Sequence, residues 1–269
     1  MKTFTLRTDG ARFGTCAGAL LYLLLAANCS GGRAPATGQA SGNPTAPTPT
    51  AAPAPTPAPT PVPAPTLDPP PVLSVTIVDL SGTYDPIARR LGTLNCNFVF
   101  PTDPNDRWCF NAFGATLGSK QSPSYDYKVA AGTIVRAAAA GIVRRLEAET
   151  NPLYPGEFEV ETRSSQNGTY LVIYDHVRHL RVALGASVEP GTELGIAGIH
   201  TSNRDVYGRV ELQINRVTNA ATGQSESVCP RGFGTTAFSQ AHDAALAAHN
   251  SANPAFASSS VCLTDVVRP

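Results

Sequence analysis

Four segments decide the fold: residues 126–143 (DYKVAAGTIVRAAAAGIV), 170–176 (YLVIYDH), 185–198 (GASVEPGTELGIAG) and 208–214 (GRVELQI). All four contain residues that favour β-strands, and the first and third also contain closely spaced glycines and alanines. Turn signals such as Pro190-Gly191 lie within or between the segments. Short strands separated by frequent glycine turns are typical of a β-sandwich or barrel, so the sequence predicts an all-β domain.

The same criteria extend the strand pattern on both sides of these segments. The predicted strands are residues 75–79, 134–137, 142–146, 157–162, 169–174, 180–184, 194–197 and 210–214. One helix is expected near the C-terminal end, over residues 237–249. That run is rich in alanine, and Thr235 or Thr236 can cap its first turn.

The first 29 residues have the pattern of a secretory signal. Three basic residues precede an apolar run over about residues 17–27, which is too short to span a bilayer comfortably. The run ends in Leu25-Ala26-Ala27-Asn28-Cys29, which resembles the lipobox of bacterial lipoproteins, although Asn28 departs from the small residue usual there. We expect lipidation at Cys29, which anchors a protein to the membrane; ordinary cleavage and release is the alternative.

Residues 30–72 have the composition of a linker. Residues 33–72 hold 14 of the 24 prolines, mixed with alanine and threonine. Such a stretch cannot build a core and favours extended polyproline II structure. It predicts a spacer between the membrane and the domain that follows, in an exported protein of the cell surface or periplasm.

Residues 73–269 are long enough for one domain with a core. Their 16 basic and 18 acidic residues leave a charge of about −2, which indicates no nucleic-acid partner. The domain contains Cys96, Cys109, Cys229 and Cys262, and an even number of cysteines in an exported domain predicts disulfides. Three pairings are possible, of which the two local ones, Cys96–Cys109 and Cys229–Cys262, are favoured. Zinc on the cysteines is the alternative, but no pair has C-x-x-C spacing.

Taken in order, the four segments resemble the β-core of the LytM/lysostaphin-type zinc endopeptidases over residues 113–216. The resemblance implies a duplicated hybrid-motif β-sandwich or barrel, here with one C-terminal helix. It also implies an ancestry among enzymes that use zinc to cut peptidoglycan cross-bridges.

The residues at the family's zinc site have largely changed. The metal-binding aspartate of the family corresponds to Asp126, six residues before Gly132, but Ser122 stands where the family has a histidine. The family's His-x-His pair, whose members share one face of a strand, corresponds to Arg209 and Glu211. Its further catalytic histidine has no counterpart in residues 180–184. The resemblance therefore implies no catalytic residue and no metal here.

Two roles are open for the charged side chains of this site. Arg209 can pair with Asp126 or with Glu211 and so supply the positive charge of the missing zinc. Alternatively, Arg209 points to solvent and Asp126 caps a turn. Glu211 could ligate a metal, but Arg209 beside it would repel one.

The five histidines are expected to have structural or solvated roles. His176 matches a family histidine that is not a ligand, and His179 is expected in a turn. His200 is the best spare ligand candidate, whereas His242 and His249 are expected to face solvent on the helix.

These observations predict a non-catalytic, peptidase-like module that binds cell-wall material or a partner such as a wall hydrolase. The first alternative is a zinc metalloendopeptidase with an unusual ligand set. The second is a purely structural surface domain.

Overall fold

The computed structural model describes residues 69–97, 108–117, 119–152, 154–164, 168–199 and 207–268. Residues 1–68, with the signal, Cys29 and nearly all of the proline-rich segment, lie outside the described residues, and so does His200. The strands are β1 (Arg90–Leu91), β2 (Leu94–Asn95), β3 (Phe110–Asn111), β4 (Thr116–Leu117), β5 (Lys120–Gln121), β6 (Tyr125–Ala130), β7 (Ile134–Arg136), β8 (Gly141–Ala148), β9 (Phe158–Arg163), β10 (Tyr170–Arg178), β11 (Ser187–Val188), β12 (Glu193–Ile199), β13 (Tyr207–Asn219), β14 (Gln224–Val228) and β15 (Val266–Val267). The helix α1 spans Thr236–Ala252, and 3₁₀ helices span Pro230–Phe233 and Pro254–Phe256.

One curled antiparallel sheet contains most of these strands, so the predicted all-β fold with one helix is confirmed. Its strands follow the order β1-β2-β6-β13-β12-β10-β9-β8-β11, and β13 also pairs with β10. Strands β14 and β15 continue the sheet beyond β13, while β3 pairs with β6 and β7 with β12. Strands β4 and β5 form a separate hairpin. The long strand β13 thus borders four others and is the centre of the sheet.

The two faces of the sheet differ sharply in polarity because side chains alternate along each strand. On β13, Val210, Leu212 and Ile214 are fully buried in the hydrophobic core. The intervening residues Arg209 and Glu211 therefore lie on the opposite face. Because Glu211 pairs with Asp126 of β6, the aspartate shares that face, which we call the site face.

Helix α1 covers the core face of the sheet. It begins where the Thr235 side chain accepts a hydrogen bond from the Phe238 backbone N–H, as the sequence predicted for one of two threonines. Phe238 and Ala245 are almost completely buried. The helix extends three residues beyond the predicted end, to Ala252.

The prediction that His242 and His249 face solvent is wrong, since they are 1% and 3% exposed. The Nδ1–H of His242 donates to the Phe238 carbonyl (2.7 Å), and its Nε2 accepts from the Tyr127 hydroxyl (2.6 Å). His249 accepts from the Cys109 backbone N–H through Nδ1 (3.4 Å). Each ring buries its apolar body while both nitrogens keep a partner, so polarity alone misleads at these two positions.

Two disulfides join Cys96 to Cys109 and Cys229 to Cys262, the local pairing that the sequence favoured. The loops that they close span 13 and 33 residues along the chain. Closing loops of this size stabilises a fold by about 3 kcal/mol each in the chain-entropy model.

Two predicted strands are not strands. Residues 75–79 form an irregular segment in which the consecutive Ile77 and Val78 are both buried, so the burial period is not that of a strand. Residues 180–184 form a connection that leads into a turn at Gly185, whose φ is +84°. In both places β-forming side chains are buried or placed by tertiary contacts rather than by pairing.

In the described part of the chain, no helix has the length and apolar character needed to cross a bilayer.

Candidate functional site

Strand register places four polar residues in one row across the site face. Asn111 of β3 pairs with Asp126 of β6, Asp126 pairs with Glu211 of β13, and Glu211 pairs with Asp175 of β10. Directly opposite residues in an antiparallel sheet have Cβ atoms about 5 Å apart. Three carboxyl groups therefore stand side by side, an arrangement that destabilises a sheet unless cations or protons neutralise it.

Arg209 provides the first neutralising charge. It lies two residues before Glu211 on β13, so its side chain shares the site face. Its Nη2 contacts the Glu211 Oε1 atom and lies 3.5 Å from the Asp126 Oδ1 atom. The exposed fractions of the three side chains are 17% for Arg209, 13% for Glu211 and 1% for Asp126. The ion pair is thus largely shielded from water, and charges that are shielded from water interact strongly.

His176 provides a second cation from the other side of the row. A bulge between Tyr174 and Val177 interrupts the pairing of β10 with β9, and His176 has a left-handed backbone with φ of +60°. This local distortion re-aims the ring. Its Nδ1 lies 2.7 Å from Glu157 Oε2, and its Nε2 lies 3.4 Å from Glu211 Oε1.

Glu157 is held in place by the backbone of β12. Its Oε1 accepts a hydrogen bond from the Ile199 N–H at 2.7 Å. A Cβ atom at Gly198 would overlap this carboxylate, so the approach of Glu157 requires glycine at that position. Glu157 is 2% exposed, and its side chain is paired with His176.

Short hydrogen bonds complete the row. The Ser124 hydroxyl donates to Glu211 Oε2 at 2.6 Å, and the Asn111 amide donates to Asp126 Oδ2 at 3.1 Å. Ser122, at the position of a family histidine, is 2% exposed, and its hydroxyl donates to the Ser124 carbonyl at 3.1 Å. Within the described residues, Ser122 therefore hydrogen-bonds to Ser124 and makes no hydrogen bond to a carboxyl group of the row.

Aromatic rings border the cationic end of the site. The Trp108 ring lies 5.8 Å from the Arg209 guanidinium carbon and 4.6 Å from Lys128 Nζ. The Tyr207 ring lies 5.0 Å from the same Lys128 atom. These are cation–π distances, which stabilise partly desolvated cations.

The pKa values of these groups diverge strongly. Burial and the neighbouring Glu211 raise the pKa of Asp126 well above its ordinary value, although Arg209 opposes the shift. Burial also acts to raise the pKa of Glu211, but Arg209 and His176 outweigh it and hold that pKa well below its ordinary value. The Asp126 carboxyl therefore keeps its proton to a higher pH than an ordinary aspartate does, whereas Glu211 loses its proton at a lower pH than an ordinary glutamate.

The pKa of His176 is shifted in the direction that keeps the ring charged. Burial acts to lower it, but hydrogen bonds to Glu157 and Glu211 outweigh burial and raise the pKa to about 10. Arg209 and His176 thus approach the Glu211 carboxylate from two sides, and Glu157 is a further partner of the histidine.

This donor set does not fit a zinc ion. Zinc binds three or four deprotonated protein ligands in a tetrahedron, yet a guanidinium contacts Glu211 and lies 3.5 Å from Asp126. Both Glu211 oxygens already have partners, Arg209 and His176 on one and Ser124 on the other. Within the described ranges, no cluster of three or more His, Cys, Asp or Glu side chains is arranged to hold a metal.

The match to a known family covers this site. Residues 120–222 match the model of peptidase family M23. This part of the chain is similar to the M23 peptidases. The resemblance to LytM/lysostaphin-type peptidases that the sequence predicted is therefore confirmed, and the M23 segment contains Ser122, Asp126, Arg209 and Glu211.

Three solved structures show the range of similarity. The solution structure of lysostaphin is 15% identical, with 51% of this chain and 49% of that chain covered and a TM-score of 0.36. Lysostaphin from Staphylococcus simulans is 14% identical, with 48% of this chain and 50% of that chain covered and a TM-score of 0.35. LytU is 21% identical, with 47% of this chain and 83% of that chain covered and a TM-score of 0.36. The chain spans about half the length of the two lysostaphin structures. No curated protein matches the chain.

Sequence reasoning found only part of this site. It placed Asp126, Arg209 and Glu211 together, but it assigned His176 only a structural role and assigned Glu157 no role in the site. The missing signal is the bulge at His176, because a strand pattern without it points this ring elsewhere. The Pro155-Gly156 turn just before Glu157 marks an irregular segment, but it does not reveal the histidine as partner.

Proposed function

We propose that this M23-like domain is a non-catalytic, peptidase-like module of the cell envelope that binds cell-wall material or a partner such as a wall hydrolase. The observation that carries the proposal is the contact of the Arg209 guanidinium with Glu211 and its 3.5 Å approach to Asp126. A permanent cation lies where a hydrolytic metal centre needs a ligand and an open position.

The chemistry of the remaining side chains supports binding rather than hydrolysis. A metal-free hydrolase needs a general base that is free to take a proton from water or from a nucleophile. Glu211 is held by two cations and a hydroxyl, and its pKa is well below the ordinary value, which makes it a weak base. Asp126 is 1% exposed and its Oδ2 atom accepts a hydrogen bond from the Asn111 amide, so little of this carboxyl is open to a water or a nucleophile.

The proposal includes an extracellular or periplasmic location. Disulfides form and persist in oxidising compartments, and the structure contains two. We further propose that residues 1–29 direct export, that Cys29 carries the lipid anchor, and that residues 30–72 space the domain from the membrane.

The test combines binding and hydrolysis in one preparation. The purified full chain, with zinc added, is incubated with insoluble peptidoglycan, and the sedimented protein and released muropeptides are measured. We expect sedimentation with the wall and no new muropeptides. Zinc-dependent products that disappear in Asp126→Ala would contradict the non-catalytic function.

The family match itself favours a second candidate, a zinc metalloendopeptidase with an unusual ligand set. It requires ligands to replace Ser122, Arg209 and Glu211. His200, which lies outside the described residues, is the ligand candidate that the sequence offers. Stoichiometric zinc in the purified protein, lost in His200→Ala, would support this candidate.

A further inference from the structure

A second polar feature lies on the site face, away from the carboxyl row. It is an open basin of about 580 Å³, which we call the arginine basin. Its lining is Arg144, Arg145, Glu161, Arg163, Leu171, Ile173, Asn215, Gly223 and Ser225. Asn215 lies four residues beyond Glu211 on β13, which corresponds to about 13 Å along a strand. The basin is therefore separate from the charged site but continuous with its face.

A β-bulge concentrates positive charge in this basin. The pairing of β8 with β9 shifts register between Val143 and Arg145, so Arg144 is an extra residue in β8. Consecutive strand residues normally point to opposite faces, but a bulge can turn two of them to one side. Arg144 and Arg145 both line the basin as a result. Together with Arg163 they outnumber the one acidic lining residue, Glu161.

Among the described residues, Arg144 is the arginine of the basin that has no ion-pair partner. Arg145 contacts Glu147, Glu159 and Glu161, and Arg163 Nε donates to Glu161 Oε1 at 2.8 Å. The Nε–H of Arg144 is buried and has no hydrogen-bond partner within the described structure. The two terminal amino groups of Arg144 are not among the buried, unpartnered donors, so this guanidinium can offer them to a ligand in the basin.

We propose that the arginine basin binds the free carboxylate of a peptide with small apolar side chains. The planar fork of arginine pairs with a carboxylate through two hydrogen bonds. Leu171 and Ile173 form an apolar floor that suits a methyl side chain, while Asn215 and Ser225 offer polar groups to the peptide backbone. Because Glu161 offsets part of the positive charge, the basin suits a single negative charge. The inference rests on the proposed function for the source of this peptide, a wall peptide.

The experiment is an NMR titration of the full chain with N-acetyl-alanyl-alanine, using both stereoisomers, and with the same dipeptides as C-terminal amides. We expect the free acid to bind and the amide to bind at least about tenfold more weakly, since a charge-assisted hydrogen bond contributes about 1.5–3 kcal/mol. Arg144→Gln should weaken the binding of the free dipeptide acid by a similar factor. Arg144→Lys, which keeps the charge without the fork, should give an intermediate affinity.

The matched control is Arg90→Gln, which removes an exposed arginine from β1, at the other end of the strand order. Its affinity should equal that of the unmodified chain. Equal binding of acid and amide, or an affinity that Arg144→Gln does not change, overturns the proposal. Glycerol phosphodiester that binds more tightly than the dipeptide acid also overturns it, in favour of a phosphate polymer.

Sedimentation with insoluble peptidoglycan separates this inference from the proposed function. Wall binding by the unmodified chain together with unchanged dipeptide affinity in Arg144→Gln overturns the basin alone. Dipeptide binding that depends on Arg144, without sedimentation, supports the basin and contradicts wall binding. Near-ultraviolet circular dichroism of each variant establishes that it is folded.

Discussion

Asp126 and Glu211 stand directly opposite each other on β6 and β13, yet their carboxyl groups have opposite pKa shifts. Burial acts to raise the pKa of both carboxyls, and the difference between them follows from the unequal sharing of Arg209, whose Nη2 contacts Glu211 and lies 3.5 Å from Asp126. This asymmetry has measurable consequences for stability and for its dependence on pH.

The first prediction concerns His176 and alkaline pH. Its pKa is about 10 in the folded protein, above the ordinary 6.5, so its contribution to stability is complete below pH 6.5. That contribution should fall as the pH rises from 6.5 towards 10, by on the order of 4 kcal/mol. The free energy of unfolding, measured with urea across this range, should lose its alkaline decline in His176→Gln. Parallel curves for the two proteins would contradict the assignment.

The second prediction concerns His242 and acid pH. Burial lowers its pKa from 6.5 to about 4, so the unfolded chain binds the proton more readily. Stability should therefore fall as the pH drops from 6.5 to 4, by about 3 kcal/mol. The difference between the unmodified chain and His242→Gln isolates this effect from the carboxyl groups. A difference that is constant with pH would show that His242 does not titrate in this window.

The third prediction concerns Gly198. A Cβ atom there overlaps the Glu157 carboxylate, which is fixed by His176 and by the Ile199 N–H. Gly198→Ala should lower the free energy of unfolding by about 1–3 kcal/mol and reduce the alkaline pH effect of His176. The matched control is Gly232→Ala, where an added Cβ meets no atom within 4 Å. Equal stability of the two variants would contradict the packing argument.

The fourth prediction concerns Cys29. If residues 1–29 are a lipoprotein signal, the chain expressed in a bacterial host should incorporate labelled palmitate and fractionate with membranes. Cys29→Ser should abolish both properties, whereas Cys16→Ser should change neither. Retention of the label in Cys29→Ser would rule out lipidation at this position.

The strand pattern and the glycine turns predicted the fold because alternation and turn chemistry are local properties of a sequence. The four segments quoted at the outset contain or overlap β6, β7, β8, β10, β11, β12 and β13. Residues 75–79 and 180–184 have β-forming composition, but neither segment forms a strand in the fold. Pairing is a tertiary property, and composition alone cannot supply it.

The candidate site was predictable only where register and alternation determine it. Arg209 and Glu211 share a face because they are two apart on one strand, and the resemblance brought Asp126 to the same place. The position of His176 depends on a bulge in β10 and on the left-handed backbone of His176 itself. No residue type within residues 170–178 predicts either feature. The burial of His242 and His249 similarly depends on partners that are distant in sequence.

The most direct test of the central claim, that Arg209 and Glu211 form the pair that replaces the metal, is a double-mutant cycle. The free energies of unfolding of Arg209→Met, Glu211→Gln and the double variant give the coupling energy of the pair. A parallel cycle with Asp126→Asn serves as the control, because Arg209 contacts Glu211 but stays 3.5 Å from Asp126 and should couple to it only weakly. The account predicts a coupling of about 2–3 kcal/mol for Arg209 with Glu211 and below about 1 kcal/mol for Arg209 with Asp126. Additive effects of Arg209→Met and Glu211→Gln would contradict it.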